Sequence, residues 1–109
     1  MNTEPYADLP LTRAEVDAIS GPCIVDFGTH WCGHCNAALP LVAEVLKGYP
    51  QVQHIRVEDG SGRSLGRTFR VKLWPTLVFM RDGQEVARLV RPTAISDIQA
   101  ACEALLPRQ

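Results

Sequence analysis

The chain has 109 residues, 46% of them hydrophobic and 21% charged, which is too apolar for a disordered polymer and enough for one domain with a real core. A formal net charge of −1 excludes a global electrostatic attraction to nucleic acid or to an anionic membrane. Met1 to Pro10 carries Glu4 and Asp8 without an apolar run, so it does not read as a secretory signal, and no later stretch is long enough to span a bilayer. A single domain over residues 1–109 is expected, with 1–10 a loosely ordered N-terminal segment and a reducing cytoplasm as the setting.

In chain order, Thr12 and Glu15 form a T-x-x-E capping box that opens a short helix from Arg13 to Ile19, stopped by Gly21-Pro22. Cys23 to Gly28 is a near-continuous apolar run, the pattern of a strand covered on both faces. From Gly33 to Gly48 the apolar positions Ala38, Leu41, Val42, Val45 and Leu46 mark an amphipathic helix, with Pro40 inside it as an expected kink. Val52 to Glu58 alternates, with Ile55 and Val57 inward and His54 expected at the surface. A turn at Asp59-Gly60-Ser61-Gly62 leads to a short helix from Arg63 to Arg70, where Arg63, Arg67 and Arg70 form a solvated basic stripe.

Thr76 to Met80 and Glu85 to Val90 flank Arg81-Asp82-Gly83-Gln84, a hairpin signal. Ser96 with Gln99 is expected to cap a last helix ending at Leu106. Ile95, Ile98, Cys102 and Leu105 fall at helical spacing on that helix, so Cys102, like Cys23 in its strand, reads as an inert core thiol. The order of elements predicts an α/β fold, a central mixed sheet with helices on both faces.

The chemistry gathers at Trp31-Cys32-Gly33-His34-Cys35, between a strand and a helix. A C-x-x-C there puts the first sulfur over the helix N-terminus, where free N–H groups and the positive end of the dipole favour a thiolate. The thiolate is the form that attacks disulfides, so the pair reads as redox-active. Asp26 interrupts the apolar strand Cys23-Ile24-Val25-Asp26-Phe27. Either it points to solvent at a strand edge, or it is buried and must be protonated or partnered, with a raised pKa. If buried and unpaired, it is a proton store beneath the cysteines, and a neutral replacement should cost no stability. Trp74-Pro75-Thr76 starts a strong strand with a rigid turn, and a cis peptide is open there. His30, Cys32, His34 and Cys35 crowd four ligand types into six residues, a poor tetrahedron for zinc, and Asn36 breaks the C-x-x-C-H of haem attachment. Neither a metal nor an organic cofactor is expected.

Taken together, Val25-Asp26-Phe27, Trp31-Cys32-Gly33-His34-Cys35, Pro40, Pro75-Thr76 and Gly83 resemble the thioredoxin family in order and spacing, over roughly residues 11 to 106. The resemblance implies a thiol–disulfide oxidoreductase whose redox centre is the Cys32–Cys35 pair. It makes Cys32 the exposed attacking thiol and Cys35 the buried resolving one. It also matches Asp26 to a buried acid, Pro75 to a cis-proline, and Arg56 to a position where a lysine often stands near that acid. Trp31, Gly33 and Trp74 would shape the site. The implied partners are protein disulfide substrates and an electron donor of the thioredoxin-reductase type, acting on a monomer, with no nucleic acid or membrane.

The chain also departs from the pattern. His34 replaces a proline, and C-G-H-C is similar to the protein disulfide isomerase site; a histidine there would favour the thiolate and make the disulfide more oxidising. A potential between about −270 mV and about −180 mV is expected. Gly28 replaces a bulky aromatic, Trp74 a smaller residue, and Arg91-Pro92 a Gly-Ala pair lining the substrate surface. The alternative functions are a disulfide oxidant or isomerase tuned by His34, and a binding module of the same fold whose dithiol is idle.

Overall fold

A computed structural model describes residues 11–107. The expectation of a loose segment at 1–10 lies outside them. The elements are α1 (Arg13–Asp17), β1 (Pro22–Gly28), α2 (Gly33–Leu46), β2 (Gln53–Glu58), α3 (Ser64–Thr68), β3 (Thr76–Arg81), β4 (Gln84–Val90) and α4 (Ile95–Leu105). The sheet order is β2-β1-β3-β4, with β1 parallel to β2 and antiparallel to β3, and β3 antiparallel to β4. This is the expected mixed sheet flanked by helices.

Alternation along β1 divides the core. Ile24 joins Leu77, Phe79, Val42, Ile98 and Leu105 on the α2/α4 face. Cys23, Val25 and Phe27 join Val16, Leu65 and Phe69 on the α1/α3 face. Because β1 is covered on both sides, its run is nearly all apolar, and that is why Asp26 stands out. Cys102 lies in the α2/α4 core as expected, whereas Ile95 is exposed rather than part of the buried stripe.

Local chemistry sets the ends of the elements. Thr12 Oγ1 accepts from the Glu15 N–H at 3.1 Å and Glu15 Oε1 accepts from the Thr12 N–H at 2.9 Å, closing the capping box. α1 stops at Asp17 rather than Ile19 because the chain turns at Gly21 (φ 79°), whose N–H donates to Asp82 Oδ1 at 2.7 Å. Asp82 (φ 49°) and Gly83 (φ 81°) form the two-residue turn of the β3–β4 hairpin, both in the left-handed region that such a turn requires. A Cβ on Gly83 would lie 2.3 Å from the Asp17 carbonyl oxygen, so the hairpin tip packs on the end of α1.

Three further expectations are corrected. α4 begins at Ile95, so Ser96 falls inside the first turn, and Ala94 is an N-cap without a side-chain hydrogen bond. The basic stripe does not form: α3 is only five residues long, Arg63 precedes it and bonds Glu58 at 2.8 Å, and Arg70 follows it with φ 57°. His54 is not exposed but 2% accessible, since β2 also has a covered second face, shared by His54 and Arg56. Among the described residues, no helix is long and apolar enough to cross a membrane.

Candidate active site

The loop Thr29-His30-Trp31 carries the chain from β1 to α2, and Cys32 is the N-cap of α2 with extended backbone (φ −83°, ψ 120°). Its sulfur takes the place of a serine or threonine cap oxygen, accepting from the Cys35 N–H at 3.4 Å. Cys32 is 9% accessible and Cys35 1%, so the attacking position predicted as exposed is in fact mostly covered, though still the more accessible residue of the two. Trp74 packs against the cysteine pair. Both are thiols, as are Cys23 and Cys102.

Burial works to raise the Cys32 pKa, but hydrogen bonds from the Cys35 thiol and from the backbone N–H groups of Cys35 and His34, with the charge of Arg91, outweigh it and leave the thiol below its ordinary value of 9.0. The helix start therefore does what the spacing predicts. His34 contributes through its backbone, and its residue is exposed.

The second wall is the turn before β3. The Trp74–Pro75 peptide is cis. Thr76 Oγ1 donates to the Leu73 carbonyl at 2.6 Å, and Arg91 closes the turn from the end of β4, its N–H donating to the Pro75 carbonyl at 2.9 Å. Trp74 Nε1 donates to Asp59 Oδ2 at 2.9 Å, and its ring meets the Trp31 ring edge-on at 5.7 Å between centroids. Asp59 can approach only because residue 66 is glycine: a Cβ there would lie 2.3 Å from Asp59 Oδ1. Trp31, by contrast, is 69% exposed.

Within the sheet, Asp26 is 3% accessible, which excludes the solvent-facing alternative. It is partnered: His54 Nε2 lies 2.9 Å and Arg56 Nε 3.5 Å from Asp26 Oδ2. The parallel register explains the cluster, since Asp26 stands opposite Arg56 and Ile24 opposite His54, all on one face. The structure thus places Cys32, Cys35, Trp31, Gly33, His34, Trp74 and Pro75 around one surface and Asp26 with Arg56 in the interior. Sequence reasoning missed the roles of His54 and Asp59, and it marked Arg91 as a departure at the substrate surface without its bonds to the cis-proline turn. For His54 the available signal was its place two residues before Arg56, which in a strand means the same face.

These environments give a sharp reactivity order. Burial pushes the Cys23 thiol to about 11, and burial with the Glu103 charge pushes Cys102 to about 11. In the reduced native protein at neutral pH, iodoacetamide should modify Cys32 first and leave Cys23 and Cys102 untouched until unfolding, as read by mass spectrometry of the digested protein. The Cys32 rate should rise with pH and level off below 9.0. Because the folded pKa is the depressed one, the reduced fold holds this contribution to stability above the unfolded thiol pKa and loses it as pH falls through the folded value.

Among the described residues, no group of three or more His, Cys, Asp or Glu side chains is arranged to hold a metal ion. The surface has instead one acidified thiol, one shielded thiol three residues on, and a cis-proline turn that holds Trp74 against the pair. Such an arrangement can exchange disulfides.

Residues 12–104 match the Thioredoxin family profile. The chain is 57% identical to thioredoxin 2 from Pseudomonas aeruginosa PAO1 in its reduced form, over 94% of each chain, with a TM-score of 0.85. It is 38% identical over 71 residues to thioredoxin Asp f 28 from Aspergillus fumigatus, covering 65% of this chain and 66% of that protein, just under two thirds of its length. It is 34% identical over 79 residues to thioredoxin 1 from Synechococcus elongatus, covering 72% of this chain and 74% of the relative.

Proposed function

The chain belongs to the thioredoxin family, and from that premise we propose that it is a protein-disulfide reductase working by dithiol exchange through Cys32 and Cys35. The observation that carries this reading is the seat of Cys32: an N-cap sulfur with a lowered pKa, more accessible than its neighbour. The Cys32 thiolate attacks one sulfur of the substrate disulfide. A mixed disulfide forms, and the second substrate sulfur leaves as a thiolate that takes up a proton. Cys35 then gives its proton to Asp26 and attacks the Cys32 sulfur, releasing as a thiolate the substrate sulfur that Cys32 had attacked. Two electrons have passed to the substrate, and a Cys32–Cys35 disulfide remains for a thioredoxin-reductase-type donor to restore. Trp31, Gly33, Trp74 and Pro75 shape the docking surface, and Arg56 holds the carboxylate of Asp26. The setting proposed is a reducing cytoplasm, with the protein as a monomer.

Insulin-disulfide reduction driven by a thioredoxin reductase is the direct test, paired with the reduction potential of the Cys32–Cys35 couple against glutathione. Turnover with a potential nearer about −270 mV than about −180 mV is the expected result. An inert dithiol would leave only a docking module, and a potential at or above the upper figure would make the protein an oxidant. His34→Pro, which removes both the imidazole and the backbone N–H of residue 34, should lower the potential by removing groups that favour the thiolate; an unchanged value would mean that neither tunes the couple.

A further inference from the structure

Arg91 is held in an unusual way for a surface arginine. Its backbone is left-handed (φ 51°), a conformation that costs a side-chain-bearing residue about 1 kcal/mol or more and that a glycine takes freely. Its backbone N–H donates to the Pro75 carbonyl at 2.9 Å and its Nε to the Trp74 carbonyl at 2.8 Å, so the residue is held to the cis-proline turn by its backbone and the guanidinium by one further bond. It is exposed, and its charge reaches the Cys32 sulfur.

The remaining chemistry of the group is unspent. Among the described residues, Arg91 has no ion pair, and its two Nη atoms make no hydrogen bond. The nearby carboxylates are engaged elsewhere: Asp59 accepts from the Trp74 indole and Glu58 pairs with Arg63. Exposed apolar side chains flank the same turn: Val90 precedes Arg91, Leu73 precedes Trp74, and Trp31 meets the Trp74 ring edge-on. A fixed fork in such surroundings matches a carboxylate better than a mobile lysine would, because little rotamer freedom is lost on pairing.

We propose that Arg91 is a specificity-determining residue of the exchange reaction: its guanidinium, latched across the cis-proline turn beside Cys32, receives a carboxylate of the substrate polypeptide next to the scissile disulfide, so that acidic disulfide segments are preferred. The inference rests on the reductase reading and adds a substrate class to it. The apolar rim receives the neighbouring side chains of the same segment, and the charge sets which segment approaches.

The test uses the intact protein and two synthetic peptides, each with one intramolecular disulfide and differing only in glutamate or lysine flanking it. At low ionic strength the wild type should reduce the acidic peptide with a kcat/KM about five-fold above the basic one, the size of one partly exposed ion pair. Salt should erode that ratio. Arg91→Gln should bring it close to one, Arg91→Lys should retain part of it, and Arg91→Glu should invert it. The ratio cancels any general change in Cys32 nucleophilicity, which a neutral aromatic disulfide measures separately. Because the native backbone is left-handed, Arg91→Gly serves as a variant that removes the side chain without backbone strain. A ratio that stays the same in Arg91→Gln and Arg91→Gly overturns the proposal while peptide reduction itself stands. A wild type that reduces neither peptide overturns the reductase reading and this inference together.

Discussion

Cys35→Ser should turn the protein into a trap, and Cys32→Ser should silence it. Without Cys35 the mixed disulfide has no internal attacker, so a stoichiometric covalent adduct with substrate accumulates and intact-mass spectrometry detects it. Without Cys32 there is no accessible acidified sulfur, and turnover should fall on the order of 10³-fold or more. The asymmetry follows from the helix start. Cys32 takes the cap seat and the hydrogen bonds that stabilise its thiolate, whereas Cys35 is inside the first turn and 1% accessible. If Cys32→Ser forms the adduct and Cys35→Ser does not, the two roles are reversed.

Asp26→Ala should lose both stability and resolving rate. Apolar patterning alone predicts the opposite sign for stability, because an unpaired buried carboxylate is a burden whose removal helps. The structure reverses that expectation: Asp26 lies between His54 at 2.9 Å and Arg56 at 3.5 Å, and Arg56 is itself 6% accessible. Taking away the carboxylate leaves a guanidinium charge in the sheet interior without its counter-ion, a change that costs about 3–5 kcal/mol in comparable buried pairs. If Asp26 is the acceptor proposed for the Cys35 proton, the resolving step should slow by about 10²-fold or more. Urea unfolding and single-turnover decay of the mixed disulfide measure the two effects. Asp26→Asn separates them, since an amide still bonds His54 but takes up no proton: its stability should lie between those of the wild type and Asp26→Ala, while its rate should match Asp26→Ala. Full resolving activity in Asp26→Asn would make the carboxylate purely structural.

Much of the fold was legible because the strong signals are local. Continuous apolarity in β1, the capping box at Thr12, and Asp82-Gly83 between two strand-like runs each depend on neighbours in sequence. The dithiol was legible for the same reason, since a cap sulfur and its helix are contiguous. What escaped depends on pairing across the sheet. His54 looks like a polar residue on an exposed face until the register sets it beside Asp26. Arg91 lies far from Trp74 in sequence, and only the return of β4 alongside β3 brings it to the cis-proline turn. Asp59 needed the absence of a side chain at Gly66 to reach the indole. Alternation within a strand says which residues share a face, and not what the facing element presents.

The placing of the tryptophans has an optical consequence. The chain has two, Trp31 and Trp74, and both stand beside the dithiol, one preceding Cys32 in sequence and the other packed against the cysteine pair. All indole emission from this protein therefore originates beside the redox pair, from Trp74 packed on it and from Trp31 in edge contact with Trp74. A disulfide accepts an electron from an excited indole far more readily than a thiol does, so closing the Cys32–Cys35 bond quenches the whole signal rather than a fraction of it. The molecule thus carries its own label-free meter of electron occupancy, and stopped-flow fluorescence can follow each turnover without a coupled dye.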